Sequence, residues 1–139
     1  MRIGYVPYSK SLLHPGDRRR LGMWAESKGI ELELINPLNS DLLVLSNAAN
    51  FGYWIKRATQ PVVLDLVDGY LGESPSFFYD FLRNLLRTMR GTSSFHWITY
   101  TRHLKAACQS SSLVIVASEE QAIFIKQYNQ NVRVILDNH

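Results

Sequence analysis

Ser112-Leu113-Val114-Ile115-Val116-Ala117-Ser118-Glu119 carries the reading of the fold. Leu113–Ala117 is apolar without a break and rich in β-branched residues, so it suits a strand covered by helices on both faces. Ser118 follows as a helix N-cap, and Glu119 and Glu120 suit the positive end of the helix that it opens. A buried strand passing directly into a helix is one step of a βαβ chain.

The same alternation runs outward in both directions. The pattern predicts strands at Arg2–Val6, Ile30–Ile35, Leu42–Ser46, Pro61–Val67, Leu113–Ala117 and Val132–Leu136. Between them it predicts helices over Pro15–Lys28, which Gly29 ends, and over Asn50–Thr59, Ser76–Arg90, Phe95–Ser110 and Ser118–Tyr128. The third gathers Phe77, Phe78, Phe81, Leu82, Leu85, Leu86 and Met89 on one face and Asp80, Arg83, Asn84, Arg87 and Arg90 on the other. Its basic face could lie on an anionic membrane, or the helix could simply bury its apolar face on the sheet. The expected fold is α/β and Rossmann-like: a mostly parallel six-stranded sheet, helices on both faces, order 3-2-1-4-5-6. That order makes the first and fourth strands neighbours and sets Pro7–Asp17 opposite Asp68–Glu73.

Size and composition narrow the classes. With 139 residues, no internal repeat and no linker, the chain reads as one domain over residues 1–139. A net charge of +3 is too small to argue for nucleic acid, which is not an expected partner. No run approaches the ~18 apolar residues of a membrane span, so any membrane contact is expected to be peripheral. Cys108 stands alone, which rules out an internal disulfide and fits a reducing cytoplasm. A cytoplasmic protein is expected, at most peripheral to the inner membrane face.

Three segments together resemble the N-terminal, acceptor-side domain of GT-B glycosyltransferases (glycosyl transferase group 1). Ser112–Glu119 is similar to the family's "ADLVIVxSE" strand and helix start. Pro61-Val62-Val63-Leu64-Asp65-Leu66-Val67-Asp68 resembles its "PVVxxxHD", with Val67 in place of the histidine. Asn131-Val132-Arg133-Val134-Ile135-Leu136-Asp137-Asn138 sits where the family has "VxVIPNG". The family's glycine-rich loop after the first strand is replaced by Tyr8–Gly16. The resemblance implies that the chain is the N-terminal half of a two-domain enzyme. That enzyme would move a sugar from a nucleotide-sugar to a carbohydrate or lipid-linked acceptor. The donor would bind in a C-terminal partner domain, so this domain is expected to bind no cofactor and to be inactive alone.

Candidate site residues follow from the chemistry. Asp68-Gly69 ends the fourth strand, where a carboxylate could serve an inverting transferase as general base; Asp-Gly is also an ordinary turn. Arg18, Arg19 and Arg20 stand at a helix start, against the dipole, which makes sense if an anion sits there. The plainer alternative pairs one arginine with Asp65 or Asp68 and leaves two in solvent. Asp65, inside an apolar strand, needs such a partner. His14, Arg18, Arg19 and Glu73 are therefore the expected acceptor-binding residues, and Asp68 the catalytic one. His96 and His103 share a helix face without a third ligand, so no metal site is expected, and Cys108 reads as a buried small residue.

Other classes lose ground. No Ser/His/Asp elbow, no G-x-x-x-x-G-K-[ST] loop and no G-x-G-x-x-G is present. A receiver-type signalling domain would need acidic residues where Pro7-Tyr8 and Ser46-Asn47 stand. The alternative from another class is a stand-alone, non-enzymatic Rossmann-like binding or regulatory module that meets a partner through Trp54 or Trp97.

Overall fold

The computed structural model describes residues 1–66, 89 and 100–136. The predicted helix over Ser76–Arg90, and Asp68, Glu73, His96 and Trp97, therefore lie outside the described residues, Met89 excepted. Strand β1 is Ile3–Val6. A short helix α1, Pro15–Asp17, passes through a wide π-type turn at Arg18–Gly22 into α2, Met23–Ser27. Then come β2 (Leu32–Glu33), a 3-10 turn at Pro37–Asn39 and β3 (Leu42–Ser46). The chain continues through α3 (Phe51–Ile55), β4 (Val62–Leu66), α4 (Tyr100–Ser110), β5 (Leu113–Val116), α5 (Glu119–Ile125) and β6 (Val132–Val134).

The stretch from which the reading began behaves as its residues dictate. Leu113–Val116 is a strand, and Ser118 Oγ accepts from Gln121 N at 3.3 Å to open α5. Gln121 Oε1 reaches back to accept from Ala117 N at 2.9 Å, so cap and third helical residue satisfy two otherwise unpaired amides between them. The helix predicted over Pro15–Lys28 is broken instead. Arg20 sits at φ −120°, ψ −105°, and the turn around it closes on Asp17, where a Cβ on Gly22 would stand 2.5 Å from the Asp17 carbonyl oxygen.

The six strands among the described residues are all parallel, as expected for an α/β, Rossmann-like sheet, but their order is 2-1-3-4-5-6. The expected order 3-2-1-4-5-6 is thus corrected, and with it the adjacency of the first and fourth strands. Strand β3 lies between them: it pairs with β1 from Ile3↔Leu42 to Val6↔Leu45 and with β4 from Leu43↔Val62 to Ser46↔Asp65. The physical reason is at Gly4. The link from β2 to β3 crosses β1, and buried Pro37 rests on the bare backbone of Gly4. A Cβ there would collide with the Pro37 carbonyl oxygen and stand 2.5 Å from Ser40 Oγ. Ser40 Oγ closes the crossing, 2.6 Å from the Pro37 carbonyl oxygen and 2.8 Å from that of Leu42.

Among the described residues, helices α3, α4 and α5 cover one face and the segment around α1 lies on the other. On one face Leu43, Leu45, Leu64, Leu66, Val114 and Val116 pack against Phe51 of α3, Leu104 and Cys108 of α4, and Ile125 of α5. At about 1.5–3 kcal/mol for each large side chain taken fully out of water, this cluster dominates the stability. The other face presents Ile3, Tyr5, Val44 and Val63 to Leu12 and Leu21 of the segment around α1. No helix among the described residues is long and apolar enough to cross a membrane.

Candidate functional site at the sheet reversal

In a doubly wound sheet the ligand crevice opens at the carboxyl ends of the strands where the order reverses. Here that point lies between β1 and β3 rather than between the first and fourth strands. The crevice is flanked by the loop after Val6 and by the loop after Ser46.

The loop after β1 is fixed by a carboxylate. Asp17, wholly buried, accepts from Tyr8 N at 2.8 Å and Tyr5 Oη at 2.7 Å through Oδ1, and from Ser9 N at 3.0 Å through Oδ2. Ser9 Oγ lies 3.4 Å from the same Oδ2. Burial, then the hydrogen bond to Asp17 and its charge, push the Tyr5 phenol far above its ordinary range, so Tyr5 is a permanent donor. Leu12 takes the left-handed conformation, φ 57°, to turn the loop back toward α1 and rest on the second core.

His14 caps α1: its Nδ1 accepts from Gly16 N at 3.1 Å, which leaves Nε2 to carry the proton of the neutral ring. Its ring stacks on Tyr8, centroids 4.7 Å apart and planes 10° apart. Ser46 and Asn47, at the end of β3, are buried polar residues. Ser46 Oγ accepts from Ala48 N at 3.3 Å, and Asn50 Oδ1 caps α3 by accepting from Tyr53 N at 3.1 Å.

The three arginines separate. Arg20 is drawn inward by the break at its own backbone and meets Asp65, Nη2 to Oδ1 2.8 Å and Nε to Oδ2 3.2 Å. Its Nη1 donates to the Ile135 carbonyl at 3.0 Å, tying the turn at Arg18–Gly22, β4 and the segment after β6 together. This is the plainer arrangement that the sequence allows: one arginine paired with Asp65, while Arg18 and Arg19 lie exposed. Those two open onto different cavities. Arg18 lines one of about 410 Å³ between α2 and β2, with Leu12, Met23 and Leu32. Arg19 lines another of about 410 Å³ on the second sheet face, with Trp24, Val63, Asp65 and Ile115.

Of the expected acceptor-binding residues, His14 caps α1 at the end of the loop that leaves β1, and Arg18 and Arg19 are not brought together. Asp68 and Glu73 lie outside the described residues. Sequence reasoning passed over Tyr5, Tyr8, Asp17 and Ser46. An aspartate near a helix start usually serves its own helix, so nothing local marked Asp17 as the anchor of the loop after β1. Among the described residues no three His, Cys, Asp or Glu side chains are grouped to hold a metal ion.

No family model, no curated protein and no solved structure matches the chain. The site's own chemistry is thus what a functional reading stands on. The loop after β1 presents a stacked aromatic pair, Tyr8 and His14, beside the serine hydroxyls of Ser9 and Ser11. That combination suits a ligand with both hydroxyl groups and an apolar ring face.

Proposed function

We propose that this domain is the acceptor-binding half of a GT-B-type sugar transferase, with a carbohydrate or lipid-linked acceptor held in the crevice between β1 and β3. The nucleotide-sugar donor would belong to a second domain. The observation that carries the reading is the stacked Tyr8–His14 pair on the loop that leaves β1, next to the sheet reversal. The resemblance of Pro61–Asp68 and Ser112–Glu119 to the family supplies the reaction class, and the fold alone would not. An inverting member needs a base for the acceptor hydroxyl, and Asp68, two residues past β4 in sequence, is the candidate.

Backbone-amide NMR of the chain, titrated with neutral oligosaccharides and with nucleotide-sugars, tests this. Saccharides are expected to move the amides of Tyr8, Ser9 and Asn47 saturably. Nucleotide-sugars are expected to bind weakly at most. Tight stoichiometric nucleotide-sugar binding by calorimetry, or crevice amides indifferent to every saccharide, would sink the proposal.

A further inference from the structure

The loop that leaves β1 already holds an anion, and that anion belongs to the protein. In phosphate-binding sheets of this architecture, a ligand phosphate is received by backbone N–H groups after the first strand and at the start of the next helix. Here those groups are engaged internally. Tyr8 N and Ser9 N both donate to Asp17, at 2.8 and 3.0 Å. At the helix start Pro15 has no N–H, Gly16 N donates to His14 Nδ1 at 3.1 Å, and Asp17 N and Arg18 N donate to the His14 carbonyl at 2.9 and 3.1 Å. The groups that hold Asp17 are all neutral: two amides, the Tyr5 phenol and the Ser9 hydroxyl. Among the described residues no cation forms an ion pair with Asp17.

We propose that Asp17 takes the place of a ligand phosphate and thereby sets the ligand class, so that the crevice accepts uncharged, hydroxyl-bearing molecules and excludes phosphorylated ones. That the uncharged molecule is a sugar rests on the function proposed above; the exclusion of anions rests on Asp17 alone. Two effects act together. A second anion meets like charge in a partly desolvated notch, where repulsion is weakly screened. It also finds the Tyr8, Ser9 and Gly16 amides already taken, so they cannot replace the water that it gives up. Asp17→Asn reverses both, since an amide is neutral and its NH2 group cannot accept from the Tyr8 or Ser9 N–H, which is then released.

The test is amide NMR of the full chain titrated with inorganic phosphate, with methyl glucoside and with methyl glucoside 6-phosphate. In the wild type the Tyr8, Ser9 and Gly16 amides should stay still with phosphate and with the phosphate ester. In Asp17→Asn they should respond to both, with affinity at least about tenfold higher, equivalent to 1.4 kcal/mol. Tyr5→Phe loosens the same network but keeps the charge, and it should stay silent. Saturable phosphate shifts at these amides in the wild type overturn the proposal, whether or not Asp17→Asn folds. So does a silent Asp17→Asn, or a Tyr5→Phe that binds phosphate as Asp17→Asn does. If the phosphate arms behave as expected and methyl glucoside moves nothing, the sugar reading falls while the exclusion of anions stands. If methyl glucoside binds and the phosphate arms fail, the reverse holds.

Discussion

Arg20 and Asp65, 45 residues apart in sequence, form an ion pair in which each side chain is only 6% exposed. Such a pair costs much desolvation, and its net worth is small beside the penalty of breaking it on one side. Arg20→Met should therefore destabilise the domain by about 3–5 kcal/mol, because Asp65 is left buried and charged. The double variant Arg20→Met/Asp65→Leu should recover most of that loss. Urea denaturation of the two variants checks both statements, and a double variant no better than the single would show that the pair does not act as a unit.

Gly4 is the second place where one atom decides the architecture. Gly4→Ala places a Cβ against the Pro37 carbonyl and Ser40 Oγ, both of them buried and neither free to swing away. A loss of about 1–3 kcal/mol is expected from the forced backbone shift. Ser40→Ala combined with Gly4→Ala should relieve only part of it, since the Pro37 backbone remains. A thermal melt unchanged from the wild type would mean that the crossing can move aside freely.

These two sites also mark the limit of what the sequence discloses. The strands are legible because Leu42–Leu45, Val62–Leu64 and Leu113–Val116 are apolar on both faces, and only buried parallel strands tolerate that. The pairing of Asp65 with an arginine is legible because a lone carboxylate in such a strand is untenable. Strand order is not, because Gly4 reads as one small residue in a strand, and its meaning depends on Pro37 lying over it. The crevice moved with the order. Asp17 was hidden for a related reason: an aspartate near a helix start usually serves its own helix, and nothing local says that it reaches back to Tyr8 and Ser9.

Alkaline pH should weaken the fold. Burial pushes the Cys108 thiol up to about 12, and burial with the Asp17 contact raises the Tyr5 phenol still further from its ordinary value. The folded chain thus keeps two protons that the unfolded chain releases, so stability falls wherever the unfolded state binds fewer protons. It should be full below about pH 9, decline as the unfolded thiol ionises, and decline more steeply above about pH 10 as the unfolded phenol does. Denaturant midpoints across that range check the slope. Tyr5→Phe should flatten the steeper part, and a profile insensitive to that change would contradict the assignment.

The start of α5 should behave as a true cap. Ser118→Ala removes the acceptor for Gln121 N and should cost about 1 kcal/mol, while Ser118→Asp should retain most of the stability. Thermal denaturation of the pair decides. Equal losses in both variants would mean that the serine acts through packing and not through its oxygen.

During synthesis β1 is the first of the six strands to leave the ribosome, yet its main partner is not available until Leu42–Ser46 has followed it. From then on the sheet extends in one direction: β4 joins β3, β5 joins β4 and β6 joins β5, each strand docking on the one just made. A partly made chain therefore shows a sticky rim on that side only. The opposite rim among the described residues is the two-residue β2, too short to template pairing with a neighbouring chain, and the last described strand is the three-residue β6 with Arg133 exposed. Short strands at both margins leave the sheet of the described residues little with which to recruit another copy edge to edge.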